Sequence, residues 1–456
     1  MKDHRVNGYL RRILAGILAA GLILAAGCSS TGSHESGGPE DEVSRSESPS
    51  ESVVPSGSES PSESAAPSGG ESPAESITPS ESESPSVPIP SEPAPLEPAP
   101  WEDASLPPRE RVVAYMTALS QVEWTPSEKI DLTKSKKNLM FFPEVQYKGL
   151  PYTNDWDGSL EEFRSYLREG VYLGPVTDEE CRGVDCSSSV LSAWAVVSTS
   201  FDCVWTRKML PQAGCGTIRV GDYVIPEGSE GTEDIIRANE EQRIYEAYAA
   251  LLPGDAVVQY TDHGHARMIV GEPDVRRNAD GTISGLSSVV TTEIDSRLRS
   301  GEGYASCWIV EHTYYFRDLI DDFYIPLTIP ELVSGEAPEL SLTLNEDNTA
   351  ETLLAEGGLR GTLESNYRIT MVKASVLEEA AGNAGGGSVG VKTVRESLYF
   401  PVNNIDLVMS SRMAELSKLN ETLDICSLPA GRYVLKLTAK AAGETREVFQ
   451  IEFEKP

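Results

Sequence analysis

Between Arg109 and Leu119 the apolar residues Val112, Val113, Met116 and Leu119 recur at helical spacing and predict a helix. A second helix is expected around residues 160–169. A third is expected from about Ser187 to Thr199, where the stretch Val190 to Val197, with Trp194 inside it, is almost wholly apolar. A fourth falls at 236–250. The pattern then shortens, and Asp255–Tyr260, His265–Gly271, Ser287–Ile294 and Trp308–Phe316 read as strands, with turn residues Asn278-Ala279-Asp280-Gly281 between the second and third. Helices first and strands afterwards is an α+β order, with the 187–199 helix packed on an antiparallel sheet. Farther on, Tyr433, Leu435, Leu437 and Ala439 share one face of a clean alternation. Gly443-Glu444 turns that segment back into Val448–Phe453. Strands at Tyr367–Val376 and Ser388–Phe400, around a glycine-rich loop at 382–387, complete an all-β reading of residues 335–456.

The N-terminal hundred residues follow neither period. Lys2, Arg5, Arg11 and Arg12 precede an apolar run from Ile13 to Ala26, which is short for a bilayer span and has the length of a signal-peptide core. It closes on Leu24-Ala25-Ala26-Gly27-Cys28, which resembles the lipobox of bacterial lipoproteins, with Ala25 where leucine is commonest. The resemblance implies removal of residues 1–27 and lipid on Cys28, so that acyl chains rather than a helix hold the protein to a membrane. Residues 28–104 are expected to be a tether. Serine, proline, glutamate and glycine dominate, no aromatic residue occurs between Cys28 and Trp101, and Ser46–Gly57 is repeated nearly intact as Ser58–Gly69. In polyproline-like form such a tether has a contour on the order of 200 Å.

The chain of 456 residues carries a formal net charge of −33. Roughly −13 of this lies on the tether, which holds about 14 acidic residues against one arginine, and the folded part keeps somewhat over −20. A surface of that sign disfavours nucleic acid as a partner, because phosphate recognition wants a basic footprint.

The chemistry is concentrated in two short stretches. Gly183-Val184-Asp185-Cys186-Ser187-Ser188-Ser189 puts a cysteine at the start of the 187–199 helix, where partial positive charge favours thiolate over thiol. Gly264-His265-Ala266-Arg267 puts a histidine at the start of a strand, after Leu252-Pro253-Gly254-Asp255. A histidine within reach of the sulfur supplies the general base of covalent catalysis. The serines after Cys186 lack the Gly-x-Ser-x-Gly context of a serine hydrolase, and they are expected to satisfy the first N–H groups of the helix. His263 and His265 would share a strand face, but a metal pair there lacks a clear third ligand, so neither metal nor cofactor is expected. His263 sits in the turn and is expected to face solvent. Cys181, Cys203, Cys215, Cys307 and Cys426 allow at most two disulfides among themselves. Cys203–Cys215 would close a loop, and Cys181 is close enough in sequence to Cys186 for an oxidised, inactive form.

From about Tyr147 to Tyr324 the chain resembles the papain-like NlpC-type cell-wall peptidases and, more loosely, the CHAP-type amidases. Asp185-Cys186-Ser187 matches the nucleophile motif, Gly254-Asp255 the following strand start, and His265 the base. Tyr147-Lys148-Gly149-Leu150-Pro151-Tyr152 is similar to the tyrosine-and-glycine loop that helps bind substrate. Glu293 resembles the strand glutamate of the CHAP relatives, with Asp295 and His312 as competitors for the residue that orients the histidine. The tyrosine loop lies farther ahead of Cys186 than is usual, and 79 residues separate Cys186 from His265. The resemblance implies a papain-like domain at 105–330 with catalytic Cys186, His265 and Glu293, and with Tyr147, Tyr152, Asp185 and Ser187 around the substrate. It implies a cysteine hydrolase of peptidoglycan amide bonds, acting as an endopeptidase on stem peptides or as an amidase. The alternative is a catalytically inactive wall-binding or scaffolding lipoprotein. Residues 335–456 resemble an immunoglobulin-like sandwich without its cysteine–tryptophan hallmarks, suited to a wall polymer, a protein partner or a spacer role.

Overall fold

The computed structural model describes residues 99–135, 138–153, 159–177, 180–200, 205–379, 391–401 and 411–456. The leader, Cys28, nearly all of the tether, Cys203 and the glycine-rich loop at 382–387 lie outside the described residues. The folded part begins ahead of residue 105. Pro100–Glu102 forms a 3-10 turn, and the Trp101 ring packs edge-on against Tyr115 at 6.0 Å.

The helices that place the site are α1 (Pro108–Gln121), α2 (Leu160–Ser165), α3 (Cys186–Trp194), α4 (Thr232–Arg237), α5 (Glu241–Ala249), α6 (Phe316–Asp321) and α7 (Pro330–Ser334). The strands of the same region are β1 (Glu123–Pro126), β2 (Ile130–Asp131), β3 (Met140–Phe141), β4 (Tyr147–Lys148), β5 (Leu167–Arg168), β6 (Val171–Tyr172), β7 (Ile218–Arg219), β8 (Ala256–Tyr260), β9 (Gly264–Ile269), β10 (Ser288–Ser300), β11 (Ala305–Tyr315) and β12 (Ile325–Thr328). Ten of them form one sheet in the order β5-β6-β1-β4-β11-β10-β9-β8-β12-β7. Its central strands, β11 to β12, are antiparallel as expected. The sheet as a whole is mixed, because β1 pairs with β6 and β4 with β11 in parallel. The early chain, which the sequence pattern left without strands, thus extends the sheet. Each of those pieces is only a few residues long, too short to show a period.

Three other elements depart from expectation, among them α3, which stops at Trp194, short of the expected Thr199. The helix around 160–169 stops at Ser165, and residues 167–172 form the β5–β6 hairpin around Gly170 at φ +82°. The helix expected at 236–250 is two helices, α4 and α5, broken at residues 238–240.

Helix α3 is buried along its whole length, serines included. Those serines are satisfied locally or across the core. Ser187 donates to Asp185 (2.9 Å), Ser189 donates to the Cys186 carbonyl (2.9 Å), and Ser192 accepts from Arg368 (3.2 Å). Trp194 anchors the far end by donating its indole N–H to the Gly254 carbonyl at 2.7 Å. Asp255, next to it, is buried and accepts from the Leu252 amide (2.8 Å), Arg109 (2.8 Å) and Thr328. Gly254-Asp255 therefore ties α1, the β8 start and β12 together, away from the cysteine.

Gly149 is held at φ +80° between β4 and the next loop. A Cβ there would come within 2.1 Å of the Trp308 ring, whose N–H donates to the Leu150 carbonyl at 2.9 Å. Gly149→Ala combines left-handed strain with overpacking and is expected to destabilise the protein by about 3 kcal/mol, read as a lower midpoint in urea.

The C-terminal part has its own core, built from two antiparallel sheets. One contains β13 (Leu342–Leu344), β14 (Thr362–Ser365) and β17 (Met413–Glu415). The other contains β15 (Ile369–Glu379), β16 (Val391–Tyr399), β18 (Gly431–Ala441) and β19 (Glu444–Lys455), in the order β16-β15-β18-β19. The terminal hairpin is present and longer than its alternation predicted. The part is not purely β, because helix α8 (Ala350–Glu356) buries Leu353 in the same core.

Candidate active site

Asp185 is the residue that starts α3. Its carboxylate accepts from the Ser188 amide at 2.7 Å, and the Ser188 hydroxyl accepts from the Asp185 amide at 2.8 Å, a reciprocal capping box. Capping by Asp185, with only Ser188 of the three serines reciprocating, replaces the expectation that the serines cap this helix. It also places Asp185 and Ser187 in the helix start, with no contact to the cavity described below. Burial pushes the Asp185 carboxyl up, against the hydrogen bonds that pull it down. Cys186 follows as the first helical residue and is 5% exposed.

The loop at 151–153 is held against this start. The Thr153 amide donates to the Val184 carbonyl (3.2 Å), and the Val184 amide donates to the Pro151 carbonyl (3.1 Å). Gly183 is required there, since a Cβ would sit 2.2 Å from the Pro151 carbonyl. This pairing carries the Tyr152 hydroxyl to the Cys186 side chain. Burial first, then the Cys186 and Asp185 charges, push the phenol far above its ordinary range. Tyr147 goes elsewhere. It is 2% exposed, its ring lies 5.0 Å from Trp124, and its hydroxyl accepts from the Phe142 amide at 2.8 Å. Of the two tyrosines in the predicted binding loop, only Tyr152 reaches the site.

On the sheet side, β9 brings Gly264 and His265 over the helix start. The Gly264 carbonyl is 3.9 Å from the Cys186 sulfur, and the imidazole lies close enough to that sulfur for the cysteine to raise its pKa. His265 Nε2 meets Glu293 Oε2, which leaves Nδ1 for the cysteine. Glu293, on β10, is 1% exposed and takes three partners. Besides His265 these are Arg267 Nε at 2.7 Å and the Tyr314 hydroxyl.

These contacts set the charges. Burial alone would lower the His265 pKa, but the Cys186 and Glu293 contacts outweigh it and hold the imidazole up at about 9. Burial alone would raise Glu293, but the His265 bond and the Arg267 charge hold it down at about 2. The linkage follows from these shifts. The histidine, ordinarily near 6.5, contributes stability fully below that value and loses it as pH rises through about 9. The glutamate, ordinarily near 4.5, contributes above that value and loses it as pH falls through about 2. The melting temperature is therefore expected to fall as pH rises from about 6.5 to about 9, and His265→Gln should flatten that segment of the curve in matched thermal melts.

Of the competitors for the residue that orients His265, Asp295 is bound by Arg299 (2.9 Å), and His312 is exposed with its ring 4.6 Å from Tyr314. His263 is exposed in the bend before β9. Among the described residues, no three His, Cys, Asp or Glu side chains gather to hold a metal ion. Cys186, Cys307 and Cys426 are free thiols. Cys215 is disulfide-bonded, and its expected partner Cys203 lies outside the described residues.

An open cavity of about 730 Å³ lies against the site. Tyr152, Gly264, His265, Arg267, Glu293 and Tyr324 contribute to its wall. The sulfur meets it through its neighbours Tyr152, Gly264 and His265 rather than by facing it openly. Arg267, Tyr314 and Tyr324 did not stand out in the sequence. The one available signal for Arg267 was its two-residue offset from His265, which puts both on one strand face.

No family model and no curated protein sequence matches the chain. The functional reading rests on the geometry above.

Proposed function

We propose that the chain is a papain-like cysteine hydrolase of the NlpC type, cleaving amide bonds of peptidoglycan at the outer face of a bacterial membrane to which lipid on Cys28 anchors it. The observation that carries this reading is the line Cys186–His265–Glu293. It comprises a sulfur at a helix N-terminus, an imidazole beside it, and a buried carboxylate on the imidazole Nε2. The sulfur attacks the amide carbonyl, backbone N–H groups at the helix start stabilise the oxyanion, and protonated His265 delivers its proton to the leaving amine. Water then attacks the thioester with His265 as base, and Glu293 keeps the ring in register throughout. No cofactor enters these steps. The cavity, charged with Arg297 and Arg299 as well as Asp321 and Asp322, suits a polar peptide.

A second reading is a catalytically inactive wall-binding or scaffolding lipoprotein, and the near burial of Cys186 speaks for it. The two antiparallel sheets at the C-terminus, proposed as an immunoglobulin-like sandwich, would then be the working part, binding wall polymer or a protein partner. In the hydrolase they serve as a binder or spacer.

The test is incubation of the full chain with purified peptidoglycan and mass spectrometry of what is released. New carboxyl and amine ends within stem peptides mark an endopeptidase, and intact stem peptides freed from sugar mark an amidase. Wall binding without any released fragment, together with a Cys186 inert to iodoacetamide, overturns the hydrolase and leaves the scaffold.

A further inference from the structure

Arg267 makes the least ordinary set of contacts in the molecule. Its guanidinium carbon lies 3.8 Å from the centre of the Tyr314 ring and 4.2 Å from that of Tyr324, so the cation sits against both aromatic faces. Its Nε donates to Glu293 Oε2, the same oxygen that meets His265, while Tyr314 donates its hydroxyl to the other oxygen. One of its terminal nitrogens, Nη1, is buried without a hydrogen-bond partner. The guanidinium directs its Nε–H at a single carboxylate oxygen and is held in place by stacking against the two rings.

We propose that Arg267 is a positioning residue of the catalytic line, clamped by Tyr314 and Tyr324 so that it pins the Glu293 oxygen that orients His265. The inference rests on the reading of Cys186, His265 and Glu293 as catalytic. The backbone supports it. On β11, Thr291 of the neighbouring strand pairs with His312 but Glu293 pairs with Ile309, so β11 carries a bulge, with Glu311 at φ +51°. The bulge switches the face on which the following residues stand. Ile309 and Tyr314 therefore both border the cavity although one number is odd and the other even. Without the bulge the Tyr314 ring and hydroxyl would point away from Arg267 and Glu293. Tyr324 approaches from the other side, its ring 6.4 Å from that of His265, and the Arg267 charge acts on its buried phenol against the desolvation.

The charged and titratable groups around His265 and Glu293 are Cys186 from the helix start, Tyr152 from the loop against it, Arg267 from β9 and His263 from the bend before it, Asp295, Arg297 and Arg299 from β10, Tyr314 from β11, and Asp321, Asp322 and Tyr324 ahead of β12. Arg267 alone among them shares the His265-facing oxygen.

The experiment compares wild type, Arg267→Gln, Arg267→Lys and Tyr314→Phe as full chains. Two readouts are the pH dependence of iodoacetamide alkylation at Cys186 and the NMR shifts of the His265 ring. In Arg267→Gln the ring should report a carboxyl titration moved up toward the ordinary range, and the acid limb of alkylation should move with it. Each unit of that movement slows alkylation about tenfold at a pH below the limb. Arg267→Lys restores the charge without the planar stack and should recover part of the shift, and Tyr314→Phe should show a smaller one. A variant that melts earlier but keeps the wild-type profiles would make Arg267 a stability residue only and overturn the inference. A wild-type Cys186 that no pH makes reactive would instead overturn the hydrolase reading beneath it.

Discussion

Replacing Cys186 by alanine is expected to abolish release of peptide from purified wall, with a loss on the order of 10⁴-fold or more in kcat. Without the sulfur no acyl-enzyme forms, and only binding and oxyanion stabilisation remain. The fold should hardly notice. The side chain is small, Asp185 and Ser188 cap α3 without it, and the helix stays anchored through Trp194 to Gly254. The cost of the lost sulfur is about 1 kcal/mol, so far-ultraviolet dichroism should be unchanged and the melt shifted by a few degrees at most. Unchanged fragment release in the mass spectrum would remove Cys186 from the chemistry altogether.

The second large effect is expected from Glu293→Gln, which keeps the shape and removes the charge. Two groups lose by it. His265 loses one of the two contacts that hold its pKa up at about 9, the Cys186 contact remaining, so burial is opposed less and the ring gives up its proton at lower pH than in the wild type. An amide can also offer its N–H to Nε2 and select the wrong tautomer, the kind of error that costs about 10²–10⁴-fold in kcat. Arg267 keeps its two aromatic neighbours but loses its counter-ion while buried, which should lower stability by about 3–5 kcal/mol. Two measurements check this. The pH profile of turnover should lose its wild-type form, and the urea midpoint should fall well below that of Cys186→Ala. A Glu293→Gln enzyme with wild-type turnover and pH profile would return the orienting role to Asp295 or His312.

The parts of the site that came from local signals were legible in the chain. Cys186 sits between a capping aspartate and an apolar run, a helix-start signature that depends on a few neighbouring residues. His265 precedes a strand whose apolar positions alternate. Both signals are short-range, and both elements start where the pattern puts them, although the helix stops at Trp194 and not near Thr199. Tyr147 shows the limit of such reading. As a tyrosine in a polar, glycine-containing loop it resembles a binding residue, yet Trp124 and Phe141 enclose it, and nothing near it in sequence announces that. The short strands β4 to β7 were invisible for a related reason, since pieces of two residues are made by their partners in space rather than by their own propensity.

By itself, then, the chain's order of residues determined the α3 start, the strand that carries His265, the alternation of the terminal hairpin, and the acidic, core-less composition ahead of Trp101. Each of these is set by neighbours within a few positions. Only the tertiary structure decided that Glu293 rather than Asp295 or His312 meets the imidazole, that Tyr152 rather than Tyr147 meets the sulfur, and that Arg267 is gripped between two tyrosines. Those outcomes depend on strand register and on a single extra residue in β11. A one-residue change of register moves every later side chain to the opposite face, and that choice is made by packing across the whole sheet.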